Sequence, residues 1–216
     1  MSISRTAPQN RLAKAWRMRS KLLRVAKSHV KYSDSSSGNV WGSLTEADEA
    51  ALIDLVNRAA EMPGPLIEVG TLFGFTTQLI ASHKAAEQQL IAVESFQWNP
   101  LHLSADDHRT FTLRTLRYCM EHANTRLFDG DKNDFYAQYS GPKPSLVFID
   151  AGHRYADVVE DLDWATSAGV ALITGHDYSE SHPGVIQAVE ERFGGRVQLM
   201  PGSSVWSVDN RPGAHS

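Results

Sequence analysis

The sequence predicts an α/β protein: a doubly wound, mostly parallel sheet of seven strands that ends in an antiparallel hairpin. Three observations predict it. Short apolar runs alternate along the chain with stretches whose apolar residues recur at helical spacing. Two of the runs end in acids, Leu146-Val147-Phe148-Ile149-Asp150 and Val170-Ala171-Leu172-Ile173-Thr174-Gly175-His176-Asp177, and the helical stretch Ala156 to Ala168 between them makes a strand–helix–strand unit with parallel strands. Near the end, residues 196–200 and 204–208 flank Pro201-Gly202-Ser203, which reads as a hairpin and reverses the last strand.

Taken in order, residues 1–32 are expected to form a basic amphipathic helical extension. The first 31 residues carry nine Lys or Arg and no acid, while Leu12, Ala15, Trp16, Leu22, Leu23, Ala26 and Val30 share one helical face. Residues 33–43, rich in serine around Gly38, make a polar linker. The main domain is expected over 44–209. Thr45 with Asp48 three residues on is close to a capping box, and Pro63-Gly64-Pro65 stops the helix it starts. Then come a strand at Leu66 to Val69, a helix from Phe75 to Ser82, a strand from Gln89 to Val93, a helix around Thr110 to His122 and a short strand near Arg126 to Phe128. After the central unit a helix runs from Val185 to Phe193, and residues 210–216 read as a frayed tail.

Composition narrows the functional classes. At 216 residues the chain can bury one good core. Its single cysteine, Cys119, excludes an internal disulfide framework and a multi-cysteine zinc site, and a packed, inert thiol is expected. The sequence has no apolar run of the roughly 18 residues that a spanning helix needs, so a cytoplasmic protein is the expectation. The net charge of -4 divides into +9 over residues 1–31 and -13 beyond them. An acidic main domain repels phosphates, which disfavours nucleic acid as a partner. The basic helix is expected to pack on its own acidic domain or on a sister subunit of a homo-oligomer, with peripheral membrane contact as the alternative.

The strand ends carry the chemistry. In an open parallel sheet the C-terminal ends of the strands face the ligand crevice, so Asp150, His153, His176 and Asp177 should gather around one pocket. The first strand runs into Glu68-Val69-Gly70-Thr71-Leu72-Phe73-Gly74-Phe75-Thr76, a glycine turn that opens a helix, where backbone amides can approach a ligand. Leu72 stands where a dinucleotide fingerprint wants glycine, so a pyrophosphate cradle is poorly supported. Glu94 ends the second strand, where an acid can accept both hydroxyls of a ribose. Together these imply a nucleoside-containing cofactor. The segment from Phe96 to Arg109, with Trp98, His102, Asp106, Asp107 and His108, shows no regular pattern and reads as a lid over the acceptor or as a surface loop, with Trp98 packed in the latter case.

These motifs resemble the class I S-adenosylmethionine-dependent methyltransferases, with their Rossmann-like fold. Glu68-Val69-Gly70-Thr71 with Gly74 and Thr76 looks like the first motif of the catechol and caffeoyl-CoA O-methyltransferases. Phe148-Ile149-Asp150-Ala151-Gly152-His153-Arg154-Tyr155, Gly175-His176-Asp177-Tyr178 and Pro183-Gly184-Val185 are similar to a bacterial branch of small methyltransferases that includes sugar O-methyltransferases. The resemblance implies S-adenosylmethionine as cofactor, with Gly70 and Thr76 at its methionine end, Glu68 of the same motif among the cofactor residues, and Glu94 on its ribose. Asp131 would lie beside the adenine, its alternative role being the N-cap of the next helix. Asp150, His176 and Asp177 match the positions that hold a divalent cation in metal-dependent relatives, and His153 matches the base. His176 replaces the usual acid, so the set admits Mn²⁺ or another metal beside Mg²⁺, or none. Asp150 has a second reading as a contact to the cofactor's amino group. The implied reaction is methyl transfer to a hydroxyl of a small acceptor, a sugar or glycosylated natural product. A nicotinamide-dependent oxidoreductase and a non-catalytic methyltransferase-like binding module are the alternatives.

Overall fold

The computed structural model describes residues 44–211 and residue 213, so the expected basic helix and polar linker lie outside the described residues. The elements are α1 (Glu46–Ala60), β1 (Leu66–Val69), α2 (Phe75–His83), β2 (Leu90–Glu94), α3 (Ala105–His122), β3 (Thr125–Asp129) and α4 (Lys132–Gln138) in the first half. β4 (Leu146–Ile149), α5 (Tyr155–Ser167), β5 (Leu172–Gly175), α6 (Pro183–Phe193), a 3₁₀ turn (Gly194–Arg196), β6 (Gln198–Leu199) and β7 (Trp206–Asp209) complete it. The strands lie in the order β3-β2-β1-β4-β5-β7-β6. All pairs are parallel except β7 with β5 and with β6. The doubly wound sheet with its antiparallel ending is therefore the observed fold.

Alternation along the strands builds a layer on each face. Ile67, Val69, Ile91, Val93, Val147, Ile149 and Ile173 pack with residues of α5 and α6, including Val158, Leu162 and Val189. The residues between them, Leu66, Leu90, Leu146, Phe148 and Leu172, pack with Leu52, Leu55 and Val56 of α1 and Ile80 of α2. Leu90, Leu66, Leu146 and Leu172 are in register across four strands and are wholly buried, each contributing roughly 1.5–3 kcal/mol by leaving water. At the other end of the same strands Val93, Val69, Ile149 and Gly175 are in register. The next residues, Glu94, Gly70, Asp150 and His176, therefore form one row along the sheet's edge, and the ladder continues into it through Gly70 N–H to Val93 O, Asp150 N–H to Val69 O and His176 N–H to Ile149 O.

Three boundaries depart from expectation. α3 starts at Ala105, five residues earlier than the apolar spacing suggests, because Ser104 caps it by accepting from the Asp107 N–H at 3.3 Å. Asp106, Asp107 and His108 are thus helical, and the irregular segment shrinks to residues 95–104. α6 starts at Pro183, where a missing N–H costs nothing at the first helical position. The hairpin strands are shorter and later than expected, since the 3₁₀ turn uses residues 194–196. Cys119 is free and buried, as a packed thiol would be.

Candidate active site

The row of strand ends opens on a cavity of about 810 Å³. One wall belongs to the β1 loop, β2 and the start of α4, the other to the loops after β4 and β5. Gly70 joins the two. It has φ +95, and a Cβ there would lie 2.0 Å from the Asp150 carbonyl oxygen, so only glycine lets the loop cross the end of β4.

On the first wall Gly70 and Thr76 line the cavity. Glu94 lines it too, with its carboxylate anchored to backbone: Oε2 accepts from the Leu72 N–H at 2.7 Å and Oε1 from the Phe96 N–H at 2.8 Å. Each oxygen keeps a further lone pair for a ligand hydroxyl. Asp131 lines the cavity, and its Oδ1 accepts from the Asn133 N–H at 2.8 Å as N-cap of α4. The start of α4 is pinned by Lys132, whose Nζ lies 2.5 Å from Oδ1 of buried Asp161 on α5. Glu68 is the correction here. It is fully buried and absent from the cavity wall, accepting from the hydroxyls of Thr71 and Thr77 beneath the loop. Its side chain points into the packed layer behind β1 because strand alternation turns it away from the crevice edge, and burial pushes its pKa up to about 8. Trp98, expected to be packed if the segment is a surface loop, is 69% exposed at the cavity rim.

On the second wall Asp150, His153 and Asp177 line the cavity. His153 Nε2 lies 2.8 Å from Asp177 Oδ2, and this contact, stronger than the opposing effect of burial, raises the imidazole pKa. Asp177 has φ +59, a left-handed turn that Asp tolerates better than most residues, and its carboxyl is held well below the usual range by His153 and His176 against the penalty of burial. His176 stands behind the wall, 6% exposed. Its Nδ1 lies 3.6 Å from Asp150 Oδ1 and 3.5 Å from Asp177 Oδ1, and its Nε2 lies 3.3 Å from Asp48 Oδ2. Burial disfavours a charged ring, yet three carboxylates outweigh it and push the pKa up to about 12.

Two residues that sequence reasoning did not place belong to this cluster. Asp48 of α1 is the second residue of the capping box, and it also accepts from Ser203 Oγ at 2.8 Å and the Ser204 N–H at 2.7 Å. The capping pattern announced its local role, but no local signal shows that α1 passes behind β5. His182 precedes Pro183 at the start of α6, with Nδ1 3.4 Å from Asp177 Oδ1 and its ring 4.5 Å from that of His153. Gly184 permits this, since a Cβ there would lie 2.7 Å from the His153 carbonyl oxygen. Trp164 is half-buried and stacks on Tyr136 at 4.3 Å, a packing role.

A family model described as a methyltransferase domain matches residues 67–178, just over half of the chain and the span from β1 to Tyr178. No curated protein matches the sequence. Solved structures share the fold at low identity. An O-methyltransferase from Bacillus cereus in complex with SAH is 16% identical, with 88% of this chain and 90% of that chain covered and a TM-score of 0.61. TomG from Streptomyces achromogenes, an O-methyltransferase involved in tomaymycin synthesis and solved with SAM, is 16% identical over 88% and 89%, with a TM-score of 0.56. CalS11, a TDP-rhamnose 3'-O-methyltransferase of calicheamicin biosynthesis, is 14% identical over 96% of each chain, with a TM-score of 0.59. The family sets aside the nicotinamide alternative: the chain belongs to the methyltransferase-domain family and has the class I fold of S-adenosylmethionine-dependent methyltransferases.

Proposed function

We propose that this chain is an O-methyltransferase that moves the methyl group of S-adenosylmethionine to a hydroxyl of a small acceptor, a sugar or glycosylated natural product, with a divalent cation assisting. The observation that carries the reading is the placement of the His153–Asp177 pair, 2.8 Å apart, on the wall facing the glycine loop and Glu94 across one cavity. Gly70, Thr76, Glu94 and Asp131 are the cofactor residues of this reading, and Asp150 adjoins them. A cavity of about 810 Å³ suits a ligand pair larger than the cofactor alone. The activities named for TomG and CalS11 support a natural-product or sugar acceptor.

The reaction is an in-line displacement in which the acceptor oxygen bonds to the methyl carbon as the carbon–sulfur bond breaks. The acceptor's proton must leave as this happens. Asp177 Oδ2, 2.8 Å from Nε2 but outside hydrogen-bond geometry, draws the ring proton of His153 to that side by charge, which leaves Nδ1 as the accepting atom of this reading. The raised pKa of His153 makes the neutral ring a stronger base than a free imidazole.

The second wall fits a cation. Both ring nitrogens of His176 are buried without a partner in hydrogen-bond geometry among the described residues, and the ligand atoms of Asp150, His176 and Asp177 lie within 4.8 Å of one another. Asp150 and Asp177 would hold the ion through oxygen and His176 through Nδ1, the ion displacing the Nδ1 proton, with Asp48 Oδ2 3.3 Å from Nε2 on the far side of the ring. A cation bound there supplies a lowered pKa for the acceptor hydroxyl. One nitrogen among oxygens favours Mn²⁺ over Mg²⁺.

The test is calorimetric titration with S-adenosylhomocysteine, repeated with chelator and with Mn²⁺ or Mg²⁺. Expected are cofactor binding in chelator and a separate metal heat that Asp177→Ala abolishes. Cofactor binding with no metal heat would remove the cation and leave His153 as the base. Absence of cofactor binding would end the proposal.

A further inference from the structure

The β1 loop holds a bulky residue in a backbone conformation that glycine adopts freely and leucine does not. Leu72 has φ +50, and Phe96, on the other side of Glu94, has φ +58. Both are tied to Glu94 through their N–H groups. The Leu72 carbonyl is held in turn by α3, accepting from Thr112 Oγ1 at 2.6 Å and from His108 Nε2 at 2.8 Å. His108, Thr112 and Leu116 recur at four-residue spacing on one face of α3 and are all fully buried.

The chemistry of His108 indicates why a histidine stands there. A carbonyl only accepts, so the ring proton is on Nε2. Nδ1 is then a buried acceptor, with no hydrogen-bond partner among the described residues. The ring packs edge-on against Phe73 at 5.0 Å and Phe96 at 5.1 Å. A phenylalanine would suit that aromatic slot without burying a lone nitrogen, so packing alone does not account for the histidine. The donated hydrogen bond to Leu72 does.

We infer that His108, with Thr112, is a positioning residue for cofactor binding: it clamps Leu72 in the left-handed turn and so sets the amides of the glycine loop and the carboxylate of Glu94 for the cofactor. The inference rests on the reading of this loop as the S-adenosylmethionine site. Leu72 lines the cavity between Thr71 and Phe73, and a relaxed Leu72 would rotate its carbonyl and the following amide and withdraw its own N–H from Glu94. Holding the loop in its bound shape beforehand avoids ordering it on binding.

A double-mutant cycle in the full chain tests this, with S-adenosylhomocysteine affinity by calorimetry as the readout. His108→Phe should weaken binding about tenfold, the loss of one buried hydrogen bond. His108→Gln, whose side-chain N–H reaches about as far as ring Nε2, should stay within about threefold. In a Leu72→Gly background the same His108→Phe change should cost less than about threefold, since glycine takes the turn without a clamp. Thr112→Val provides a second cycle of the same sign should His108→Phe fail to fold. Equal losses with Leu72 intact and in the Leu72→Gly background, or no loss at all, would overturn the inference and leave α3 a packing helix. Failure of the wild-type chain to bind S-adenosylhomocysteine is distinguishable, and it would overturn the cofactor reading and this inference with it.

Discussion

The two walls of the cavity are built on opposite principles. On the first, the acids have neutral hydrogen-bond donors: Glu94 accepts from two backbone N–H groups and Asp131 from one, and beneath the wall Glu68 accepts from two hydroxyls, so the acids here are held by directional bonds. On the second, Asp48, Asp150 and Asp177 face His153, His176 and His182, so carboxylates are opposed by imidazoles. The difference teaches a division of labour. A wall of directional hydrogen bonds has one shape and suits recognition, whereas a wall of titratable groups can take up a proton or a cation and suits reaction.

The sharpest way to break this comparison is to remove the base. His153→Ala should lower kcat roughly 100- to 10,000-fold while leaving S-adenosylhomocysteine affinity within about twofold, read by turnover with an identified acceptor and by calorimetry. Loss of cofactor affinity of similar size would mean that the walls do not divide the work. Next in size is Asp48→Ala. Burial opposes the charge on Asp48, but His176, Thr45 and Ser203 outweigh it and hold its carboxyl well below the usual range. Removing it strips the side-chain half of the capping box, with Thr45 still the N-cap, and leaves His176 Nε2 facing no acid, and a loss of about 3 kcal/mol in denaturant unfolding is expected.

Per pH unit the smallest effect lies beneath the first wall and sharpens the comparison there. Burial, with Asp150 and Glu94 adding, outweighs the hydroxyl bonds from Thr77 and Thr71 and puts Glu68 at about 8, against an ordinary value of 4.5. A carboxyl raised on folding binds its proton more tightly in the native state. Its contribution to stability is therefore full below pH 4.5 and falls as pH rises towards 8. The slope is at most about 1.4 kcal/mol per pH unit. Glu68→Gln should flatten that slope in unfolding curves taken at pH 5, 6, 7 and 8, and an unchanged slope would show that Glu68 is ionised in the native state.

Much of the site was legible because strand ends are a local signal. Asp150 and Glu94 each follow an apolar run, and a parallel sheet must deliver such residues to one edge. The cap role of Asp131 was legible, since an acid just before a helix can accept from that helix's first N–H groups. Glu68 was misplaced for the same locality: it belongs to the motif, but the alternation of strand β1 turns it away from the cavity. The start of α3 was missed because apolar spacing finds the buried face of a helix and not its first polar turn, where Ser104 and Asp107 were the available signal.

The sequence by itself determined the order of strands and helices, the glycine turn and the acids at the strand ends, because each depends on periodicity or on a residue's own backbone preference. Only the tertiary structure decided which side chains meet. Asp48 on the first helix reaches His176 at the end of β5, His182 packs at a tilt against His153 because Gly184 lets α6 start there, and His108 clamps Leu72 from a helix 36 residues away. Those contacts follow from how the layers close on the sheet, and packing of distant elements leaves no local pattern in the chain.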